Sequence, residues 1–209
     1  RVAAEHTWTL QASEAAAHGR TQSELRAIFQ LGKLDFFDGR PPARLWRAVE
    51  LARQAGALVE LAWAEETLAI ALTLQGHPAA ALEVLDVAIP RARELHLDQL
   101  GYLLTARAGA LSFVQVDKTV EDLFAEAESV APAPEIRMMQ LALRADIAVH
   151  SGRFEEALAH LKHVDQMVSA MPGAAPVDSG SLLAWVYIAL GQHDAAQAAL
   201  SRTAALPDL

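Results

Sequence analysis

Five turns recur along this chain at a spacing of 37 to 39 residues, and that repeat constrains the fold more than any other feature. The clearest are Leu74-Gln75-Gly76-His77-Pro78, Ser151-Gly152-Arg153-Phe154 and Leu190-Gly191-Gln192-His193. Each is followed at a fixed offset by small and apolar residues: Ala81 and Leu82, Ala157 and Leu158, Ala196 and Leu200. Counting back from Gly76 reaches Gly39, and counting forward reaches Gln115, so the series 39, 76, 115, 152, 191 has steps of 37, 39, 37 and 39. A period of about 20–50 residues marks stacked supersecondary units, none of which buries its apolar face alone. Such a stack presents surfaces, not an enclosed catalytic cleft.

Composition agrees with a helical stack. Hydrophobic residues make up 53% of the 209 positions, enough for a continuous core, and the dominance of Leu and Ala over β-branched and aromatic residues favours helix over strand. No apolar run approaches the ~18 residues that would span a bilayer. The chain starts Arg1-Val2 with no basic-then-apolar leader, so we read it as a piece of a longer protein with no visible signal peptide. It holds no cysteine, which removes disulfides and thiolate metal sites and favours a cytoplasmic setting. The net charge of −9 argues against a duplex-binding role, and no membrane partner is expected. The densest basic stretch, Arg40, Arg44, Arg47 and Arg53, reads as a solvated helix face.

Each repeat reads as two helices joined by a tight turn. In the stretch before Gly76, Leu68, Ile70, Ala71, Leu72 and Leu74 make nearly two faces apolar, as a helix flanked on both sides requires. Gly76 supplies a permissive helix end, and Pro78 opens the next helix, where a missing N–H costs nothing. That helix carries Leu82, Leu85, Ala88, Ile89 and Ala92 at i, i+3, i+4 spacing, with Pro90 expected to kink it or restart its last turns. The pattern predicts five pairs over about 22–55, 58–95, 98–130, 135–170 and 178–204, within one domain spanning 1–209. Residues 2–17 read as a leftover second helix, since Gly19 and Gly56 share one phase. The third pair lacks the turn glycine, and Asp117 is the expected N-cap there. Residues 171–176, with two prolines, read as a loop.

These residues resemble the tetratricopeptide repeat, which places a small residue midway along the first helix, Gly at the turn, and Ala near the start and towards the end of the second helix. Gly76 brings Ala69, Ala81 and Ala88 into that pattern, with Leu85 between them. Gly152 brings Ala145, Ala148, Ala157, Leu161 and Val164, and Gly191 brings Ala184, Tyr187, Ala196, Leu200 and Thr203. Gly39 brings Gly32, but Arg44 breaks the pattern unless that turn is one residue longer. The resemblance implies an all-α, right-handed α-solenoid of about five helix-turn-helix repeats plus one leftover N-terminal helix. Phrases such as Ala52-Arg53-Gln54-Ala55-Gly56 and Ala92-Arg93-Glu94-Leu95-His96-Leu97 also resemble the helical arms of MalT-like and LuxR-type bacterial transcriptional regulators.

Motifs for chemistry are sparse. There is no phosphate-binding glycine loop, no Gly-x-Ser-x-Gly, no His-Glu-x-x-His and no cysteine nucleophile. His160 and His163 share a helix face near Glu156 and Asp165, but a stable zinc site needs a third and fourth ligand, so they read as rim histidines. Glu155 and Glu156 complement a helix N-terminus rather than form an acid–base pair. We therefore expect no catalysis, no cofactor and no metal.

The resemblance implies instead that four positions of each first helix build an inner face. They are Arg26, Phe29, Lys33 and Phe36 in the first repeat, and Trp63, Glu66, Ile70 and Thr73 in the second. Tyr102, Thr105, Ser112 and Phe113 follow in the third, Met139, Asp146, Val149 and His150 in the fourth, and Asp178, Ser181, Trp185 and Ile188 in the fifth. Such a face buries apolar side chains and sets their orientation with a few polar groups, although aromatics at helical spacing also serve as packing. The Lys and Asn that clamp a chaperone C-terminus are not reproduced, since Phe29 and Lys33, Glu66 and Ile70, and Thr105 and Gly109 occupy those places. The expected role is a non-catalytic interaction or sensor arm that takes a protein or peptide segment, with a small-molecule inducer in the same groove or a stand-alone adaptor as alternatives.

Overall fold

The structure is a computed structural model of the chain and describes residues 2–170 and 179–204. Eleven helices make up the described elements, with no strand among the described residues. The chain divides into two compact units, Arg1–Ala131 and Pro132–Leu209. The N-terminal unit holds α1 (Val2–Ala17), α2 (Thr21–Phe37), α3 (Ala43–Ala55), α4 (Leu58–Leu74), α5 (Pro78–Glu94), α6 (Leu100–Ser112) and α7 (Lys118–Val130). The C-terminal unit holds α8 (Pro134–His150), α9 (Phe154–Ala170), α10 (Ser179–Ala189) and α11 (His193–Ala204). Both units belong to the all-α, α-solenoid class. The expected loop at 171–176 and the position Asp178 lie outside the described residues, as does the side chain of Thr203.

Within the N-terminal unit each helix packs on the next, and α4 also meets both α2 and α6. The first helices of successive pairs therefore form one layer, and α3, α5 and α7 lie on its other side. In the C-terminal unit α8 pairs with α9 and α10 with α11, while α10 touches both α8 and α9. No described helix is long and apolar enough to cross a membrane.

The turns follow from local chemistry. Gly76 sits at φ +81°, a left-handed conformation that costs a residue with a Cβ, and so lets the His77 N–H reach back to the Leu72 carbonyl at 2.8 Å. Pro78 then opens α5. The glycine-free third turn works differently: the Asp117 carboxylate accepts the Thr119 N–H at 2.8 Å and caps α7, as expected. The turns after α1, α3 and α5, which lead into the next pair, also use a left-handed residue, whereas the turn from α7 to α8 does not. Gly19 and Gly56 supply it at φ +63°, and His96 stands in the corresponding place at φ +51°. Pro90 lies inside α5, which is one helix from Pro78 to Glu94.

Small residues set the core register. Ala69, Ala81, Ala88, Ala145, Ala157, Leu161 and Val164 are fully buried, as the repeat requires. In the third pair Ala108, Val120, Phe124 and Ala127 occupy the same phase and are buried. The first pair has the longer turn, so Leu45, Val49 and Ala52 take the buried places and Arg44 is displaced from the core. Gly32 matches this swap: a Cβ there would meet Leu45 Cδ2 at 2.7 Å and Cγ at 2.9 Å. One glycine–leucine pair thus replaces the alanine–alanine pair found at Ala69 and Ala81. Arg44 instead reaches Glu5 at 3.3 Å and Asp35 at 3.2 Å, and Arg40 joins the same two carboxylates, tying α1 to α2 and α3. Leu200 also departs from expectation and is 48% exposed, because α11 packs only on α10 among the described helices.

Candidate functional site

The residues expected to build an inner face in the N-terminal unit come from α2, α4 and α6, the helices of the first layer. Each helix gives a surface stripe at three- and four-residue spacing, because residues that far apart share a face. On α2 this stripe holds exposed Arg26 and half-buried Phe29, Lys33 and Phe36. The Lys33 ammonium lies 5.8 Å from the centre of the Phe29 ring, a cation–π contact. Phe36 packs on Phe37, a neighbour not expected to matter, at 5.2 Å between ring centres.

On α4 the stripe holds Trp63, Glu66 and Ile70, and on α6 Tyr102 and Thr105. Trp63 and Tyr102 meet across the two helices with ring centres 5.0 Å apart and planes at 53°. Both rings stay half-buried, as does Ile70. Thr105 is fully buried, and its hydroxyl donates to the Gly101 carbonyl at 2.9 Å, so it serves packing and offers no surface. Phe113, just past the end of α6, is 46% exposed.

Glu66 is the buried carboxyl among these residues. Only 6% of it is exposed, and burial pushes its carboxyl up to about 7, against the opposing effects of the Thr67 hydroxyl and the Lys33 charge. The Thr67 hydroxyl lies 3.4 Å from Glu66 Oε2 but also donates to the Trp63 carbonyl at 2.9 Å. A single hydroxyl proton serves only one acceptor at a time, so a protonated Glu66 fits this environment by donating to Thr67. Its neighbour Glu65 faces the other way. It is 2% exposed and pairs with Arg91 of α5 and, at 3.6 Å, with Arg53 of α3. Burial raises the Glu65 carboxyl too, and Arg91 opposes the rise.

The C-terminal unit carries a smaller set. Met139 and Asp146 are half-buried on α8, and exposed His150 places Nδ1 2.9 Å from the Asp146 carbonyl. Trp185 on α10 is 48% exposed and meets Phe154, the first residue of α9, edge to face at 5.6 Å. Phe154 was visible in the sequence only as a turn residue. His160 and His163 are half-buried, with His160 Nε2 3.8 Å from Glu156 Oε1. Among the described residues no three His, Asp or Glu side chains converge to hold a metal.

Two cavities of the N-terminal unit lie away from the inner aromatics. One, of about 260 Å³, opens between α5, α6 and α7 over Leu85, Ile89 and Leu104, under the Asp86–Arg107 and Arg93–Glu126 ion pairs. The other, of about 220 Å³, lies between α1 and α2. Neither is lined by Phe29, Trp63 or Tyr102.

Comparison with known proteins supports the repeat. Tetratricopeptide repeat models match residues 148–206 and residues 62–86. No curated protein sequence matches the chain. The structure is similar to the crystal structure of BtubC (BKLC) from P. vanneervenii, with a TM-score of 0.61 at 14% identity, covering 95% of this chain and 87% of that one. At that identity the likeness speaks for the fold alone. Residues 62–86 and 148–206 are thus similar to tetratricopeptide repeats, and repeats of that family typically serve as protein-interaction modules.

Proposed function

We propose that the first-helix layer of the N-terminal unit holds a segment of a partner protein. One observation carries this reading: Phe29, Phe36, Trp63, Ile70 and Tyr102 remain half-exposed on α2, α4 and α6, helices that lie side by side. Large rings left half in water on adjoining helices gain from a partner's apolar side chains, which remove that surface from solvent. Arg26 and Lys33 at one end orient the segment through hydrogen bonds and charge. The fit is to an extended or helical peptide, since neither cavity described above is lined by these rings.

Selection of a displayed twelve-residue peptide library tests this. Peptides retained by the parent protein should be lost on Trp63→Ala and on Tyr102→Ala, with both variants still helical. Retention unchanged by both substitutions would refute it.

We further propose that residues 1–209 act as one domain, an arm of a larger bacterial transcriptional regulator. The support is the resemblance of its repeat phrases to such arms. A single calorimetric transition supports the one-domain reading, and two separate transitions contradict it. A full-length coding sequence with neither an ATPase module nor a helix-turn-helix would contradict the setting.

A further inference from the structure

The cavity between α1 and α2 is chemically unlike the rest of this acidic chain. From α1 it receives Trp8, Gln11 and Glu14, residues at three-residue steps on one helix face. From α2 and its N-cap it receives Arg20, Ser23 and Arg26, again at three-residue steps. Ala15, 1% exposed, forms the floor. Trp8 is held half-buried against Ala12, Ala27 and Leu31, so its ring is fixed.

The two arginines distinguish this cavity. Every other described arginine of the N-terminal unit, from Arg40 to Arg107, forms an ion pair with a carboxylate. Arg20 and Arg26 pair with none of the described residues, and both line the same cavity. In a chain of net charge −9 the local balance here is two cations against Glu14 alone. Two guanidinium forks beside a half-buried indole suit an oxyanion on a flat ring: the forks donate hydrogen bonds to the oxygens, and the ring lies against Trp8. Gln11 and Ser23 add neutral donors at the rim.

We propose that this cavity binds a small aromatic anion, with its carboxylate or phosphate between Arg20 and Arg26 and its ring against Trp8. The site adjoins the peptide-binding face through Arg26, but Trp8, Gln11, Glu14, Arg20 and Ser23 lie outside that face, and the proposal does not depend on that reading.

The test is calorimetric titration of the full chain with 1-naphthoate and 1-naphthyl phosphate, and with 1-naphthalenemethanol as the uncharged analogue. The anions should saturate with a Kd near or below about 1 mM, which suits ligands of this size. The neutral alcohol should bind at least about tenfold more weakly. Arg20→Gln and Arg26→Gln are exposed changes that leave the fold intact, and each should weaken the anions about tenfold. Glu14→Gln should tighten them, because it removes the opposing charge. The tighter of the two anions identifies the head group. Equal binding of the alcohol, binding unchanged in both arginine variants, or no saturable binding by either anion would each overturn the proposal.

Discussion

Replacing Glu66 by Gln should stabilise this protein, and by an amount that depends on pH. The carboxyl is 6% exposed, and burial raises it from an ordinary value of 4.5 to about 7. An acid whose folded-state value is raised binds its proton more tightly in the folded state than in the unfolded chain. Folding stability therefore falls as pH climbs from about 4.5 to about 7, and the full penalty is present above that range. The shift corresponds to about 3 kcal/mol at pH 8. Gln has nearly the same shape and carries no charge at any pH, so it escapes the penalty. Urea unfolding of parent and variant, followed by circular dichroism between pH 4.5 and pH 8, reads the difference directly. Asp35 and Glu65, whose carboxyls burial also raises, titrate in both proteins and cancel in the subtraction. The variant should match the parent near pH 4.5 and exceed it by about 2–3 kcal/mol at pH 8. A difference that stays constant across this range, or a variant less stable at pH 8, refutes the placement of Glu66 in a dry environment.

Other predictions rest on packing and backbone geometry. Gly32→Ala should cost about 1–3 kcal/mol, because the new methyl meets Leu45, and should cost less in a Leu45→Ala background, where only the backbone N at 3.2 Å remains close; a double-mutant cycle in urea measures that coupling, and equal costs in both backgrounds would remove it. Ala81→Leu, at a fully buried position, should overpack the α4–α5 pair and lower stability by about 1–3 kcal/mol, and a urea melt identical to the parent's would show the repeat register to be wrong. His96→Gly should raise stability by about 0.5–1 kcal/mol, since glycine occupies φ +51° without strain and the gain exceeds its extra unfolded-state freedom. A fall in melting temperature for that variant would contradict the left-handed turn.

The repeat was legible because a close helix pair leaves the chain few options. Gly76 and the alanines at 69, 81 and 88 identify the turn and the contact, and all three alanines are buried as their phase requires. The irregular first pair was half-legible: Arg44 at a core phase demanded a longer turn, and Leu45 against Gly32 supplies it. Pro90 does not end α5, because one missing N–H in a helix packed against both α4 and α6 does not suffice to end it. The sequence assigns the expected inner-face residues a helical phase but not their exposure. Phase says which way Thr105 and Glu66 point, yet their burial depends on how near the neighbouring helices come, which the spacing of residues does not encode. The same reason hid the Phe154–Trp185 contact and the convergence of Arg20 and Arg26 beside Trp8.

Site-specific photocrosslinking tests the central claim most directly. A benzophenone side chain placed at Ile70, on the first-helix layer, is compared with one at Val87, 60% exposed on α5. The account predicts a discrete protein adduct from Ile70 that disappears when Trp63→Ala is added, and none from Val87. Adducts from Val87 with none from Ile70 would place the interaction surface on the other layer and contradict it.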